Sequence, residues 1–86
     1  MKSITAEAKI ENIALVTDFV NSILEKNECS MKVQMEIDIV IDEIFSNIAY
    51  YAYAPGSGEA TVQVEIEDSP KRLELVFIDR GIPYNP

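Results

Sequence analysis

Histidine and tryptophan are absent from this 86-residue sequence, which contains a single cysteine and three glycines. Without a histidine or a second cysteine, Cys29 has no imidazole to activate it and no partner for an internal disulfide, so we interpret it as an ordinary cytosolic thiol. Long apolar runs are also lacking, because Asp38, Asp42 and Glu43 interrupt the longest one well short of the ~20 residues of a membrane span. Residues 1–7 lack the apolar core of a signal peptide. We therefore expect a soluble, cytoplasmic protein without a membrane partner.

Basic residues are scarce, since seven Lys and Arg stand against fifteen Asp and Glu and give a net charge of −8. The basic residues are scattered along the chain, whereas binding to a phosphate backbone requires them to be clustered. We therefore expect no nucleic-acid partner, and a basic protein partner fits the charge better. A chain of this length predicts one domain that buries only about 60 to 65% of its unfolded surface, so its stability without a partner or ligand should be marginal.

Two stretches repeat apolar residues at the three-and-four spacing of an amphipathic helix. The first is predicted to end near Asn27, and its apolar residues are Ile13, Leu15, Val16, Phe19, Val20, Ile23 and Leu24. The second is predicted to begin after an N-cap at Ser30 and to continue over six turns. Its apolar residues are Val33, Ile37, Val40, Ile41, Ile44, Phe45, Ile48 and Ala52.

The remaining pattern predicts strands. Residues 55–58, Pro-Gly-Ser-Gly, indicate a loop, and residues 61–67 then alternate apolar and polar side chains as a half-buried strand does. A turn signal at 68–71 precedes a second strand over 73–78, which becomes apolar on both faces. With an extended start, the order is strand, helix, helix, strand, strand. This order predicts an α+β fold, a two-layer α/β sandwich with both helices on one face of an antiparallel sheet.

Two places carry side chains suited to binding chemistry. Glu43 and Asn47 are four residues apart, so a carboxylate and a carboxamide project from one face of the second helix, with Tyr50 and Tyr51 near that face. Asp79 and Gly81 follow the last strand, where glycine allows a ligand close to the backbone and a buried carboxylate needs a donor such as an adenine amino group. Each feature has an ordinary alternative, because Glu43 also fits a solvated helix face and Asp-Arg-Gly also fits a turn that ends a strand.

Residues 42–53, Asp-Glu-Ile-Phe-Ser-Asn-Ile-Ala-Tyr-Tyr-Ala-Tyr, resemble the N box of the ATPase superfamily that unites gyrase, heat-shock chaperones, histidine kinases and mismatch-repair proteins. Residues 79–86, Asp-Arg-Gly-Ile-Pro-Tyr-Asn-Pro, resemble its first glycine box. The ending is similar to one branch, the bacterial anti-sigma factors that are also serine protein kinases. The resemblance covers almost the whole chain, and it implies that residues 1–86 form the N-terminal part of a histidine-kinase-like ATPase domain with the Bergerat-type ATP-binding fold.

The resemblance also implies roles for four residues. Glu43 would be the general base that accepts the proton of a substrate serine, and the Asn47 side-chain oxygen would ligate Mg²⁺ on the phosphates of ATP. Asp79 would bind the adenine amino group, with Gly81 beside the ring. The implied partners are a sigma factor and an anti-anti-sigma protein, and the family also forms dimers through its N-terminal segment. Phosphoryl transfer asks chiefly for a positioned nucleophile, a base and a cation on the phosphates, which agrees with these roles.

The sequence departs from the family pattern in several places. Tyr51 and Asn85 stand where histidine and aspartate are frequent, and residues 11–27 contain only Lys26 as a basic residue where an arginine often contacts partners. The family pattern continues with a lid, a second glycine box and further strands, none of which follow Pro86. We therefore expect a fold that is truncated after the first glycine box and incomplete at its C-terminus, a fragment that is inactive alone as a kinase.

Two other functions fit the residues. The chain could be a non-catalytic module that binds a sigma factor or its antagonist through the first strand and first helix. The ATP-binding domain of a sensor histidine kinase fits less well, because no phosphoacceptor histidine is present. In each case the strand over 73–78 would have unpaired backbone groups and exposed apolar surface if no further strand pairs with it. Self-association would cover this surface, so we expect a homo-oligomer, most simply a dimer.

Overall fold

The computed structural model describes residues 2–52, 58–68 and 71–80. Within these ranges the chain forms β1 (Lys2–Glu7), a 3₁₀ turn (Ile10–Asn12), α1 (Ile13–Lys26), α2 (Met31–Asn47), a π-helical segment (Ile48–Ala52), β2 (Glu59–Asp68) and β3 (Lys71–Asp79). The predicted order of elements and the α+β class are confirmed. The loop residues 55–57 and the turn residues Ser69 and Pro70 lie outside the described residues.

The three strands form one antiparallel sheet in the order β1-β2-β3. In its register Ala6 is opposite Ala60, and Ala60 is opposite Asp79. Both pairs lie at the same end of the sheet. Side chains directly opposite each other in an antiparallel pair point to the same face. Along β2, Ala60, Val62 and Val64 are buried while the residues between them are not. The alternation predicted for this strand is therefore confirmed, with one face turned to the helices.

The core lies between the helices and this face of the sheet. Its fully buried large side chains are Phe45, Leu24, Ile41, Val16, Val20 and Val62. Leu73, Leu75 and Phe77 of β3 pack against this cluster but remain partly exposed, as does Ile37 of α2. The helices and the sheet thus form two layers that share one core. This agrees with the sequence pattern, in which each strand has one apolar face and each helix has one apolar stripe to bury.

Helices α1 and α2 pack against each other in an antiparallel arrangement, because only residues 27–30 join them. Near their midpoints the Asn21 side-chain Nδ2 donates a hydrogen bond of 2.8 Å to Asp38 Oδ1. The predicted N-cap is confirmed, since the Ser30 hydroxyl oxygen accepts a hydrogen bond of 3.2 Å from the Val33 backbone N–H. No helix of the described ranges has both the length and the apolar character needed to cross a membrane.

Three predictions about the helices need correction. Leu15 is exposed, because it lies about 140° around α1 from the fully buried Val20 and a helix in two layers buries only one side. Val40 and Ile44 are also exposed, although both were assigned to the buried stripe of α2. The second helix does not continue in α form to Ala52, since α2 ends at Asn47 and the π-helical segment follows.

Candidate nucleotide-binding site

Glu43 and Asn47 lie in the last part of α2, and both side chains are exposed. Their positions are fixed by Ile41 and Phe45, which are fully buried and determine which side of the helix meets the core. At about 100° per residue, Glu43 and Asn47 lie on successive turns of the opposite, outward side. The helix therefore presents the carboxylate and the carboxamide together to solvent, with the apolar anchors beneath them.

The π-helical segment begins directly after Asn47. Its Ile48 is buried in the core, while the rings of Tyr50 and Tyr51 are exposed, with centroids 6.3 Å apart and planes tilted by 59°. A π turn takes up one more residue than an α turn, and such turns occur frequently at functional sites. Tyr50 and Tyr51 therefore project from a π turn and not from an α turn. The apolar period of the sequence did not predict this change in the helix.

Asp79 is the last residue of β3 and is directly opposite Ala60. Since Ala60 is buried against the helices, this register assigns Asp79 to the face of the sheet on which α2 packs. The expectation of a buried carboxylate is wrong, because Asp79 is exposed at the end of its strand. Gly81, the other residue predicted beside the adenine ring, lies outside the described residues.

Asn47 and Asp79 belong to the same end of the molecule. The Ala8 backbone N–H donates a hydrogen bond of 2.8 Å to the Gly58 carbonyl, so the end of β1 meets the start of β2. The pairing of Ala60 with Asp79 brings the end of β3 to the same place. Because α1 starts close to this end and α2 returns antiparallel to it, the last turn of α2 also lies here. Asn47 and Asp79 therefore lie at the same end of the molecule, Asn47 on the outward side of α2 and Asp79 on the helix-facing side of the sheet.

Val40 and Ile44 form an exposed apolar strip on α2 beside the polar pair. Both lie on the side of α2 that is turned away from Asp38 and therefore away from α1. On the same side, Glu43 and Asn47 supply the polar groups. Ligand sites are mostly apolar with a few placed polar groups, so this combination is suited to a small molecule. The apolar period of the sequence predicted both residues in the core, because this period does not distinguish the edge of a buried stripe from its centre.

The fit of Mg²⁺ to this site depends on the donor groups that the site offers. Among the described residues no group of three or more His, Cys, Asp or Glu side chains could hold a metal ion. Magnesium is usually held by one or two protein oxygens together with substrate phosphates and water rather than by a protein cage. An exposed carboxamide oxygen such as that of Asn47 fits this kind of coordination, so the residues present are compatible with Mg²⁺ that arrives with a nucleotide.

A separate depression of about 600 Å³ lies on the opposite face of the sheet. It is lined by Thr5, Gly58, Glu59, Thr61, Gln63, Ile78 and Arg80. The hydroxyl oxygens of Thr5 and Thr61 are 2.8 Å apart across β1 and β2 and form a hydrogen bond. Glu43, Asn47 and Asp79, the predicted site residues that the structure describes, do not line this depression, so it is distinct from the end of α2.

Two helices on one face of an antiparallel sheet, with a Glu and Asn pair on the second helix and an Asp at the end of the last strand, define an ATPase-like α+β sandwich. The chain belongs to the histidine kinase-like ATPase domain family, whose family model matches residues 6–86. No curated protein and no solved structure matches the chain significantly. Membership in this family implies nucleotide binding in general terms.

Proposed function

We propose that this chain binds ATP with Mg²⁺ between the last turns of α2 and the end of β3. The observation that carries the proposal is the register that puts Asp79 on the helix-facing side of the sheet, at the end where Asn47 completes α2. The Asp79 carboxylate would accept a hydrogen bond from the adenine amino group, with Gly81 next to the ring. Asn47 would hold Mg²⁺ on the phosphates, and the exposed Val40 and Ile44 would contact the apolar parts of the nucleotide.

Calorimetric titration of the 86-residue protein with Mg²⁺ and ATP tests this proposal. We expect saturable binding that Asp79→Asn weakens by ten- to a hundredfold, because hydrogen bonds to charged groups contribute about 1.5 to 3 kcal/mol. Asp42→Asn is the matched control, since Asp42 is also exposed but lies about a quarter turn away from Glu43 around α2. Absence of saturable binding, or equal affinity of Asp79→Asn and the unmodified protein, would overturn the proposal.

We further propose that the same residues take part in a serine protein kinase reaction on an anti-anti-sigma partner. Bound ATP would supply the γ-phosphoryl group. Glu43 would take the proton of the partner's serine hydroxyl while the serine oxygen forms a bond to phosphorus and ADP leaves. Because residues 1–86 alone are expected to be inactive as a kinase, the transfer is measured on a chain that also carries the lid and second glycine box of the family pattern. There we expect Glu43→Gln to retain nucleotide affinity and to lose phosphate transfer by a factor of about 10² to 10⁴. Radiolabelled ATP and a partner protein would measure the transfer, and an unchanged rate in Glu43→Gln would exclude Glu43 as the base.

By the same resemblance we propose a sigma factor as a second partner, so that the chain acts as an anti-sigma factor. The alternative is a non-catalytic module that binds a sigma factor or its antagonist. Its supporting observation is that β1 lies at the edge of the sheet and that Leu15 on the neighbouring α1 is exposed. The module would retain its partner affinity in both Glu43→Gln and Asp79→Asn, whereas an ATP-dependent anti-sigma factor would lose part of it in Asp79→Asn.

A further inference from the structure

A row of three large apolar side chains lies on the solvent side of α2, N-terminal to Glu43 and Asn47. Met31, Met35 and Ile39 are 72%, 62% and 66% exposed, and their spacing of four residues stacks them on successive turns. We call these three residues the α2 stripe. Single exposed apolar residues are common on protein surfaces, but a contiguous row marks an interaction surface. Two of the three are methionines, whose flexible side chains adapt to a partner's shape.

The α2 stripe borders the groove between the two helices. Asp38, which accepts a hydrogen bond from Asn21 of α1, shows which side of α2 faces α1. At about 100° of rotation per residue, the stripe lies on this side of α2. It runs between the direction of Asp38 and the direction that points away from the core. Met35 and Ile39 are thus turned away from Val40 and Ile44, but Glu43 follows Ile39 by four residues, so the stripe borders the proposed nucleotide site along α2.

Acidic side chains flank the α2 stripe on both sides. On α1, Asp18 and Glu25 are exposed and lie within about 60° of Asn21 around the helix, so they form the far wall of the groove. On α2, the exposed Glu36 and Asp42 lie on either side of the stripe. Helix α2 contains four acidic residues and one basic residue, Lys32. An apolar row between acidic flanks is complementary to an amphipathic segment whose apolar face is bordered by Lys or Arg.

We infer that the α2 stripe is a docking site for a basic amphipathic helix of a partner protein. An amphipathic helix binds a groove through apolar side chains at the same four-residue spacing, and its flanking cations would face the acidic walls. A second copy of this chain is a poorer occupant, because two acidic groove walls would oppose each other and each chain carries a net charge of −8. The inference goes beyond the proposed nucleotide site, because it concerns three side chains to which the proposed kinase chemistry gives no role.

The test uses the 86-residue protein and a synthetic helical peptide with leucines four residues apart and lysines on both flanks. One control peptide has the same composition in scrambled order, and another carries glutamate in place of lysine. The affinity of a dye-labelled peptide is measured by fluorescence anisotropy. We expect saturable binding of the first peptide that weakens as salt is added. The double variant Met35→Gln/Ile39→Gln should bind at least tenfold more weakly, and Leu15→Gln, which removes a 52% exposed apolar side chain elsewhere, should bind normally.

Amide spectra of ¹⁵N-labelled protein locate the bound peptide independently. We expect shifts centred on the exposed sides of α1 and α2 near Met35, with the sheet unaffected. Equal binding of the scrambled peptide, shifts centred on the sheet, or no saturable binding would overturn the inference. A self-association that Met35→Gln/Ile39→Gln abolishes would also overturn it, because the occupant would then be a second copy. Circular dichroism checks that the variants keep their helices, which is expected because both substituted side chains are exposed.

Discussion

Asp79 and Phe45 show which features of single residues could be predicted from the sequence. The placement of Phe45 in the core followed from its position in the apolar stripe of α2, and its side chain is fully buried. The exposure of Asp79 could not be predicted in the same way, because it depends on where β3 ends relative to the helices. The roles of Glu43, Asn47, Asp79 and Gly81 rest on resemblance and stay predictions that the titrations above will test.

Phe45→Ala should destabilise the protein severely. Removing a fully buried aromatic side chain costs about 3 to 5 kcal/mol, because apolar contacts are lost and a cavity remains. At about 0.05 to 0.15 kcal/mol per residue the free energy of unfolding of this chain is about 4 to 13 kcal/mol, so the loss is a large fraction of it. Urea denaturation followed by circular dichroism measures it. Leu15→Ala, at an exposed position of α1, should change the stability by less than about 0.5 kcal/mol, and equal losses in the two variants would contradict the assigned core.

At the scale of elements, the end of α1 shows how a short connection is built. The Cys29 backbone N–H donates to the Leu24 carbonyl and the Glu28 N–H donates to the Glu25 carbonyl, each at 3.0 Å. These two bonds are those of a Schellman motif, in which the first residue beyond the C-cap adopts a left-handed conformation. Here that residue is Glu28, with φ of 58°, where glycine is the usual choice. The connection thus retains an unfavourable backbone conformation.

Glu28→Gly should therefore stabilise the protein. A non-glycine residue in the left-handed region costs about 1 to 2 kcal/mol, and the greater freedom of glycine in the unfolded chain offsets about 0.5 to 1 kcal/mol of the gain. The expected net gain is about 0.5 to 1 kcal/mol, measured as a higher urea midpoint with an unchanged slope. Glu36→Gly is the control, because Glu36 is exposed within α2 and glycine there should cost about 1 kcal/mol. A loss in both variants would argue against strain at Glu28.

The elements themselves were largely predictable, and the exceptions have physical reasons. The hydrophobic period predicted both helices, because amphipathic helices repeat apolar residues every three or four positions. The Ser30 cap predicted where the second helix begins. The π-helical segment was missed because Ile48 continues the apolar period of α2, and the period says little about the pitch of the final turn. The exposure of Val40 and Ile44 was missed because the width of the buried stripe depends on neighbouring elements, which the period of a single helix does not specify.

At the scale of the whole molecule, strand register and helix connection place Asn47 and Asp79 at the same end. The sequence motifs alone did not indicate that Asp79 is opposite Ala60, since a shift of one residue would place it on the other face of the sheet. The antiparallel return of α2 then brings Asn47 to the same end. Long-range pairing of this kind depends on loop geometry and on the combined burial of all strands, so local patterns predicted the layers but not the arrangement of the site.

Self-association should increase with protein concentration and with salt. Among the described residues, β3 pairs with β2 alone, and Ile78 is exposed on the sheet face away from the helices. Unpaired strand edges favour pairing with another chain, while a net charge of −8 opposes it until salt screens the repulsion. Sedimentation velocity at several salt concentrations measures the effect. Docking of the basic helix at the α2 stripe should instead weaken with salt, so the two kinds of association are distinguishable.

Ile78→Lys should reduce this self-association, because lysine on an edge strand discourages pairing. Leu15→Lys is the matched control, since it changes the net charge equally at an exposed apolar position on α1. Equal effects of the two substitutions would show that charge alone, rather than the β3 edge, controls assembly. A monodisperse monomer at high protein concentration and high salt would contradict the prediction of an oligomer.

The exposed tyrosine pair of the π-helical segment gives the protein an optical property. The chain has no tryptophan and four tyrosines, so its ultraviolet emission comes almost entirely from tyrosine. All four, Tyr50, Tyr51, Tyr53 and Tyr84, belong to the two stretches that resemble the N box and the first glycine box. Two of them, Tyr50 and Tyr51, are exposed directly after the last turn of α2, so part of the intrinsic fluorescence originates beside the proposed nucleotide site. We expect a bound nucleotide to change this emission, which a spectrometer can record in real time without any attached dye.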